Sequence, residues 1–303
     1  MLLHKQQSVQ ERIAQTVCAA AACIAVLAVA SMSIYIISSG LPALMQIGIG
    51  NMICGTQWSP TTHPPVFGIG YIILSSIIAT VVSVCIGLPL SIFMSMYITE
   101  LAPKRVAAIV SSFIELLAGI PSVIYGLVGM VVLCPLLYRI ELFVYNGDPA
   151  HQYSGGSNMC ACVCVLAIMV LPTMIGMSVS ALRAVPLSLR ASSYALGATR
   201  VQTIIKVVIP AAKSGIFAAV VLGVGRALGE AMAISMVAGG GVNLPLPFAS
   251  VRLLTTQLVS EMSYAQSLHK EALFAVGVVL YVFIICINSL VLFTKRKKRC
   301  YGK

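Results

Sequence analysis

Six stretches of this chain, roughly 15–38, 69–98, 107–138, 158–182, 216–240 and 271–294, are almost wholly apolar. A bilayer core of about 30 Å is crossed by about 20 apolar residues in a helix. Hydrocarbon offers no partner for a free N–H or C=O, so a spanning segment must satisfy its own backbone. The runs are continuous rather than alternating, which selects helices over barrel strands. The chain is 59% hydrophobic and only 9% charged, against about 25% charged in a soluble domain. The expectation is an all-α integral membrane protein with six transmembrane helices.

Punctuation within the runs refines this picture. Pro89 and the Gly119-Ile120-Pro121 step are expected to break or kink the second and third spans. Residues 104–118 read as an interfacial helix leading into the third. The first run is about 24 residues long, beyond the 7–15 of a signal-peptide core, and reads as a retained span.

The 19 basic side chains are not spread evenly. Placing both termini inside gathers Lys5, Arg12, Lys104, Arg105, those of 183–214 and the KRKKR tail on one face. Only Arg139, Arg252 and Lys270 fall outside, and Arg226 falls within a span. Such asymmetry orients the chain with cytoplasmic termini. Basic residues confined to short segments between spans report topology rather than nucleic-acid binding. The tail reads as an anchor at the inner surface.

The ten cysteines lie mostly inside apolar runs. In Cys160, Cys162 and Cys164 the alternate spacing does not converge on one helix face, so no metal site is expected. Trp58, the single tryptophan, stands in a Gly/Pro-rich outer loop and reads as an interfacial ring. The chain lacks a Gly-x-x-x-x-Gly-Lys-Ser/Thr phosphate loop and any nucleophile–base constellation, so no enzymatic activity and no cofactor are expected.

One long inner segment separates the fourth and fifth spans: RAVPLSLRASSYALGATRVQTIIKVVIPAAKSG, from Arg183. Pro186 suits the first turn of a short helix, SLRASSYAL, and Gly197 the position that ends it. A second helix, ATRVQTIIKVVI, is expected to stop at Pro210. The result is helix, glycine turn, helix at the membrane surface, a form suited to docking in a partner's groove.

This segment resembles the coupling loop of ABC importer permeases, whose pattern is EAA, three residues, Gly, nine residues, I-x-L-P. Ala191-Ser192-Ser193 occupies the EAA position, with Ala191 where the family usually has Glu. Tyr194, Ala195 and Leu196 lead to Gly197, and Ala198, Thr199 and Arg200 follow. ELLAGIPSVIYG (115–126), GTQWSP (55–60), ALRAVPLSLR (181–190), YALGATRVQTI (194–204) and GRALGEAMAISMVAGG (225–240) extend the likeness over nearly the whole chain. They are similar to the PstC family of phosphate importer permeases, with the PstA type or another oxyanion permease as the alternative.

The resemblance implies a type I ABC importer (MetI-like) permease fold in the bacterial inner membrane. It implies as partners a second, PstA-type permease, a dimer of ATP-binding subunits and an extracytoplasmic phosphate-binding protein. It divides the chain into 1–67 (N-terminal segment, first span, outer loop), 68–294 (permease domain) and 295–303 (basic tail). An ion-coupled anion transporter is the rival from another class.

The fifth run carries Arg226 and Glu230, expected one turn apart on a single helix face near mid-membrane. A charge at that depth costs about 2.5–3.5 kcal/mol on insertion scales. Guanidinium donates in a planar fork that fits phosphate oxygens. Arg226 is therefore the candidate to meet the anion, with Glu230 moderating its field. A structural ion pair is the alternative. Glu115, Ser122 and Tyr125 are weaker candidates.

Overall fold

The computed structural model describes residues 2–146, 148 and 151–300, with side chains described for 11–146, 148, 151–287 and 289. The side chains of Lys5 and of the basic tail, and residues 301–303, lie outside that description.

The chain opens with α1 (Leu2–Ile47), a short α2 (Ile49–Cys54) and a hairpin of β1 (Trp58–Ser59) and β2 (Val66–Phe67), paired antiparallel with Trp58 opposite Phe67. Helix α3 (Gly70–Met96) continues into a π-helical turn, Tyr97–Leu101. Then come α4 (Lys104–Gly119), α5 (Ser122–Val128), a π turn at Gly129–Leu133, and α6 (Cys134–Tyr145). Helix α7 (Met159–Arg183) precedes α8 (Leu187–Ala195) and α9 (Arg200–Thr203). A π turn (Ile204–Val208) leads from α9 into α10 (Ile209–Gly229), followed by α11 (Met232–Val237), α12 (Leu254–Glu261) and α13 (Ser267–Cys300).

Six of these segments are long and apolar enough to cross a membrane: Glu11–Ile47, Gly70–Leu101, Ser122–Tyr145, Met159–Arg183, Arg200–Gly229 and Ser267–Ile287. Their centre is α7, whose Leu166, Met169, Val170 and Met174 are buried. Helix α10 reaches α7 closely because it carries glycine at the contact. A Cβ on Gly215 would stand 2.3 Å from the Ala181 Cβ, and one on Gly223 would stand 2.8 Å from the Met174 sulfur. Small residues at such contacts let helix backbones approach in lipid, where packing drives association. Helices α1 and α13 form a peripheral pair, locked where Gly40 lies against the Phe274–Ala275 backbone and Tyr35 meets Phe274 edge-on.

Two expectations change. The third span begins at Ser122 rather than 107: Ile120 and Pro121 are extended, and α4 is a separate amphipathic helix. Its Ala107, Val110 and Ile114 rest on Ile175 and Val179 of α7. The second coupling helix does not stop at Pro210. It runs through the π turn into α10, so the fifth span is Arg200–Gly229, and the run 216–240 is broken at Glu230. Proline lacks the N–H that an α-helix uses and crowds the carbonyl four residues back. The widened turn at Ile204–Val208 relieves that crowding just before Pro210. Val208, Ala212 and Ile216 bury against Leu182 and Val185 across the junction. Pro89, likewise, is carried inside a continuous α3.

Candidate functional site: a broken helix and a docking loop

Arg226 lies in the last turn of α10, half-buried. At 1.5 Å per residue it stands about 20 Å along the helix from Lys213, inside hydrocarbon depth. Gly223 and Ala227 face the core, whereas Gly225 and Gly229 have nothing within 4 Å of a Cβ position. Arg226 therefore sits beside an open face of the helix. Its Nε is buried without a hydrogen-bond partner. Tyr125 of α5 is near enough to feel its charge, and the Tyr125 hydroxyl donates to the Leu117 carbonyl at 2.7 Å, bridging the Ile120–Pro121 break.

The expected i, i+4 pairing of Arg226 with Glu230 does not form. That geometry needs an unbroken helix, and the helix ends at Gly229, with Glu230 extended (φ −79°, ψ 124°). The Glu230 carboxylate accepts instead from the Ala233 backbone N–H at 3.0 Å, satisfying a free donor in the first turn of α11. Its carbonyl accepts from the Thr255 hydroxyl at 2.7 Å. Among the described residues the ion pairs are Glu141–His151, Glu100–Arg190, Glu261–Arg252 and Glu261–His269. Arg226 thus keeps a guanidinium at depth, beside open space, without the expected counter-ion. Such a group calls for water or an anion.

At the far end of the bundle, α8 follows Pro186 as expected and Gly197 ends it with φ +82°. Thr199 and Gln202 form a capping box that starts α9. Ser193 is the buried residue of α8, its hydroxyl 2.9 Å from that of Thr203, and this bond joins the two helices. Ala191, Ser192, Tyr194, Ala195, Leu196, Thr199 and Arg200 are exposed, and Ala198 is half-buried. Leu187 is 78% exposed and Leu196 89%. Apolar side chains presented this openly on a hydrogen-bonded frame make a docking surface.

Sequence reasoning missed what fastens this loop. Arg190 meets the Glu100 carboxylate at 2.8 Å and donates to the Leu182 carbonyl at 2.9 Å, while Arg200 donates to the Glu100 carbonyl. Glu100 ends the second span, so the loop is tied to α3 as well as to its own neighbours. The usable signal was an isolated acid at the edge of a span that faces a basic segment. It also missed Glu261, which gathers Arg252, His269 and the Trp58 indole N–H at 2.8 Å. Trp58 is thereby a hydrogen-bonded strut between the hairpin, α12 and α13 rather than only an interfacial ring.

A helical bundle with a rigid loop bearing exposed apolar residues at one end defines a membrane-embedded transport component worked by a soluble partner. Residues 87–299 match the family described as "binding-protein-dependent transport system inner membrane component". The chain belongs to that family and is a permease subunit of an ABC importer. It is 36% identical over 291 residues to the probable ABC transporter permease protein YqgH of Bacillus subtilis, covering 93% of this chain and 90% of that one. It is 32% identical over 255 residues to the phosphate transport system permease protein PstC of Pasteurella multocida, covering 80% and 79%. Among solved structures, a bacterial alginate ABC transporter in complex with a pentasaccharide-bound periplasmic protein shares the fold, with TM-score 0.56 at 18% identity. That match covers 91% of this chain and 96% of the other.

Proposed function

We propose that this chain carries inorganic phosphate, with Arg226 as the group that meets the anion. The observation that carries the reading is the buried, unpartnered Arg226 Nε beside the open helix face. A planar fork of donors at depth, without a carboxylate on it, suits a tetrahedral oxyanion. The likeness to proteins named as phosphate permeases points to the same anion. Glu230 serves the pathway by capping α11, which holds the break open next to Arg226. A second, PstA-type permease closes the open face, and an extracytoplasmic phosphate-binding protein loads the pathway.

The loop Ala191–Arg200 docks in a dimer of ATP-binding subunits, Leu187 and Leu196 entering its groove. The chain has no ATPase site of its own and keeps both termini in the cytoplasm. Residues 1–67, 68–294 and 295–303 serve as membrane anchor with outer hairpin, permease domain and basic tail.

The test is radiolabelled phosphate uptake by the complex co-purified from native membrane and reconstituted. Uptake should stop without ATP and should fall when arsenate, but not sulfate, is added in excess. Uptake driven by membrane potential alone would instead make the protein an ion-coupled carrier.

A further inference from the structure

A cleft of about 170 Å³ separates the peripheral α13 from α3 and α10. Ile77, Val81 and Val84 line it from α3, Val224 from α10, and Phe283 and Ile287 from α13. All lie within membrane-spanning segments. Besides the weak Cys85 thiol, the one polar lining group is the buried Thr80 hydroxyl, which makes no hydrogen bond. A trapped water needs about 2–4 polar partners, so the occupant is apolar.

The two helices that form the mouth carry charge in matching places. Lys213, exposed, lies eleven residues before Val224 on α10. Lys298 lies eleven residues beyond Ile287 on α13, with Lys295 eight beyond. Eleven residues bring a helix back to nearly the same face after about 16 Å. The helices are antiparallel, so both stripes descend from the cleft toward the end of the bundle that bears α8. That distance is close to the roughly 15 Å thickness of one hydrocarbon leaflet. A chain reaching from the mid-membrane cleft therefore ends where two cationic stripes meet the headgroup layer.

We propose that this cleft is a binding site for an anionic phospholipid of the leaflet on the α8 side, with one acyl chain seated between α3, α10 and α13. Its phosphate is held between Lys213 and the Lys295–Lys298 segment. Bound there, the lipid wedges α13 against α3 and α10 at the level of Val224, two residues from Arg226.

The test places the full chain with its permease partner in nanodiscs of equal phosphatidylglycerol and phosphatidylcholine, and counts retained lipid by native mass spectrometry. Phosphatidylglycerol should be kept selectively. K213Q/K298Q should lower its retention about thirtyfold, at about fivefold for each lysine near the surface. V81F, which fills the cleft from an exposed position, should lower it about tenfold through the methylenes it shuts out. Quenching of a Phe283→Trp variant by chain-brominated phosphatidylglycerol, measured against the parent, reads the seated chain directly. Equal retention of both lipids overturns the proposal. So does loss with the lysine variants but not with V81F, which leaves only attraction to a basic surface. Cross-linking of Cys85 to a helix of the partner permease, with no lipid kept, overturns it as well.

Discussion

Arg190 and Glu100 stand 90 residues apart in sequence, and their charged atoms lie 2.8 Å apart. Their side chains are 17% and 6% exposed, so this is a largely buried pair. Its place is mechanical: it fastens α8, the exposed docking helix, to the end of the second span. A push on α8 is therefore delivered to α3 and, through their shared core, to α7.

Removing one member of a buried pair strands the other charge, at a cost of about 3–5 kcal/mol. Glu100→Gln should sit near the low end of that range because Arg190 keeps its bond to Leu182. The complex should melt earlier and hydrolyse more ATP per anion moved. Unchanged coupling in a stoichiometry assay would count against the strut.

Arg226→Ala should lower uptake by about a hundredfold while the complex still assembles, since the fork's charge-assisted bonds are worth about 1.5–3 kcal/mol. Arg226→Lys should recover only part of this, about a tenfold deficit remaining, because ammonium lacks the planar two-armed geometry. Normal uptake in both variants, with normal assembly by size exclusion, would reject a pathway role.

Glu230→Gln and Glu230→Ala separate capping from charge. Glutamine retains an oxygen for the Ala233 N–H and should leave the melting temperature nearly unchanged. Alanine leaves that donor free and should destabilise by about 1 kcal/mol. If phosphate uptake falls as far in Gln as in Ala, Glu230 acts through its charge and not through the helix break.

Gly197 has φ +82° with open space around it. An alanine there meets no neighbour and pays only the left-handed backbone penalty, about 1–2 kcal/mol. Gly197→Ala should weaken binding of the ATP-binding subunits, and Gly197→Asn, which tolerates that conformation, should largely restore it. A pull-down titration checks both.

Trp58→Phe keeps the ring packing on Phe67 but removes a donor from the buried Glu261. The expected loss is about 1–3 kcal/mol, read as a lower melting temperature with the docking loop undisturbed.

Spans, the α4–α5 break and the helix–glycine–helix of the loop were legible because each rests on local physics. Apolar length, a proline's restricted backbone and a glycine's positive φ act within a few residues. The charged run at 226–230 misled for the same reason. Periodicity assumes the helix continues, whereas Gly229 ends it and Thr255, 25 residues on, holds the Glu230 carbonyl. Pro210 misled in the opposite sense, as the π turn and the Val208–Ile216 packing carried the helix through it.

By itself the amino-acid order determined that this chain lives in a bilayer, how often it crosses, and that one inter-span loop is built as a rigid docking element. Hydrophobic length and turn chemistry are short-range, so they can be read in one dimension. Only the tertiary structure decided that Arg226 lacks its expected carboxylate, that Glu100 anchors the loop, and that Glu261 gathers the hairpin end. A buried charge takes the partner that folding brings to it, and those partners come from distant segments whose approach no local pattern encodes.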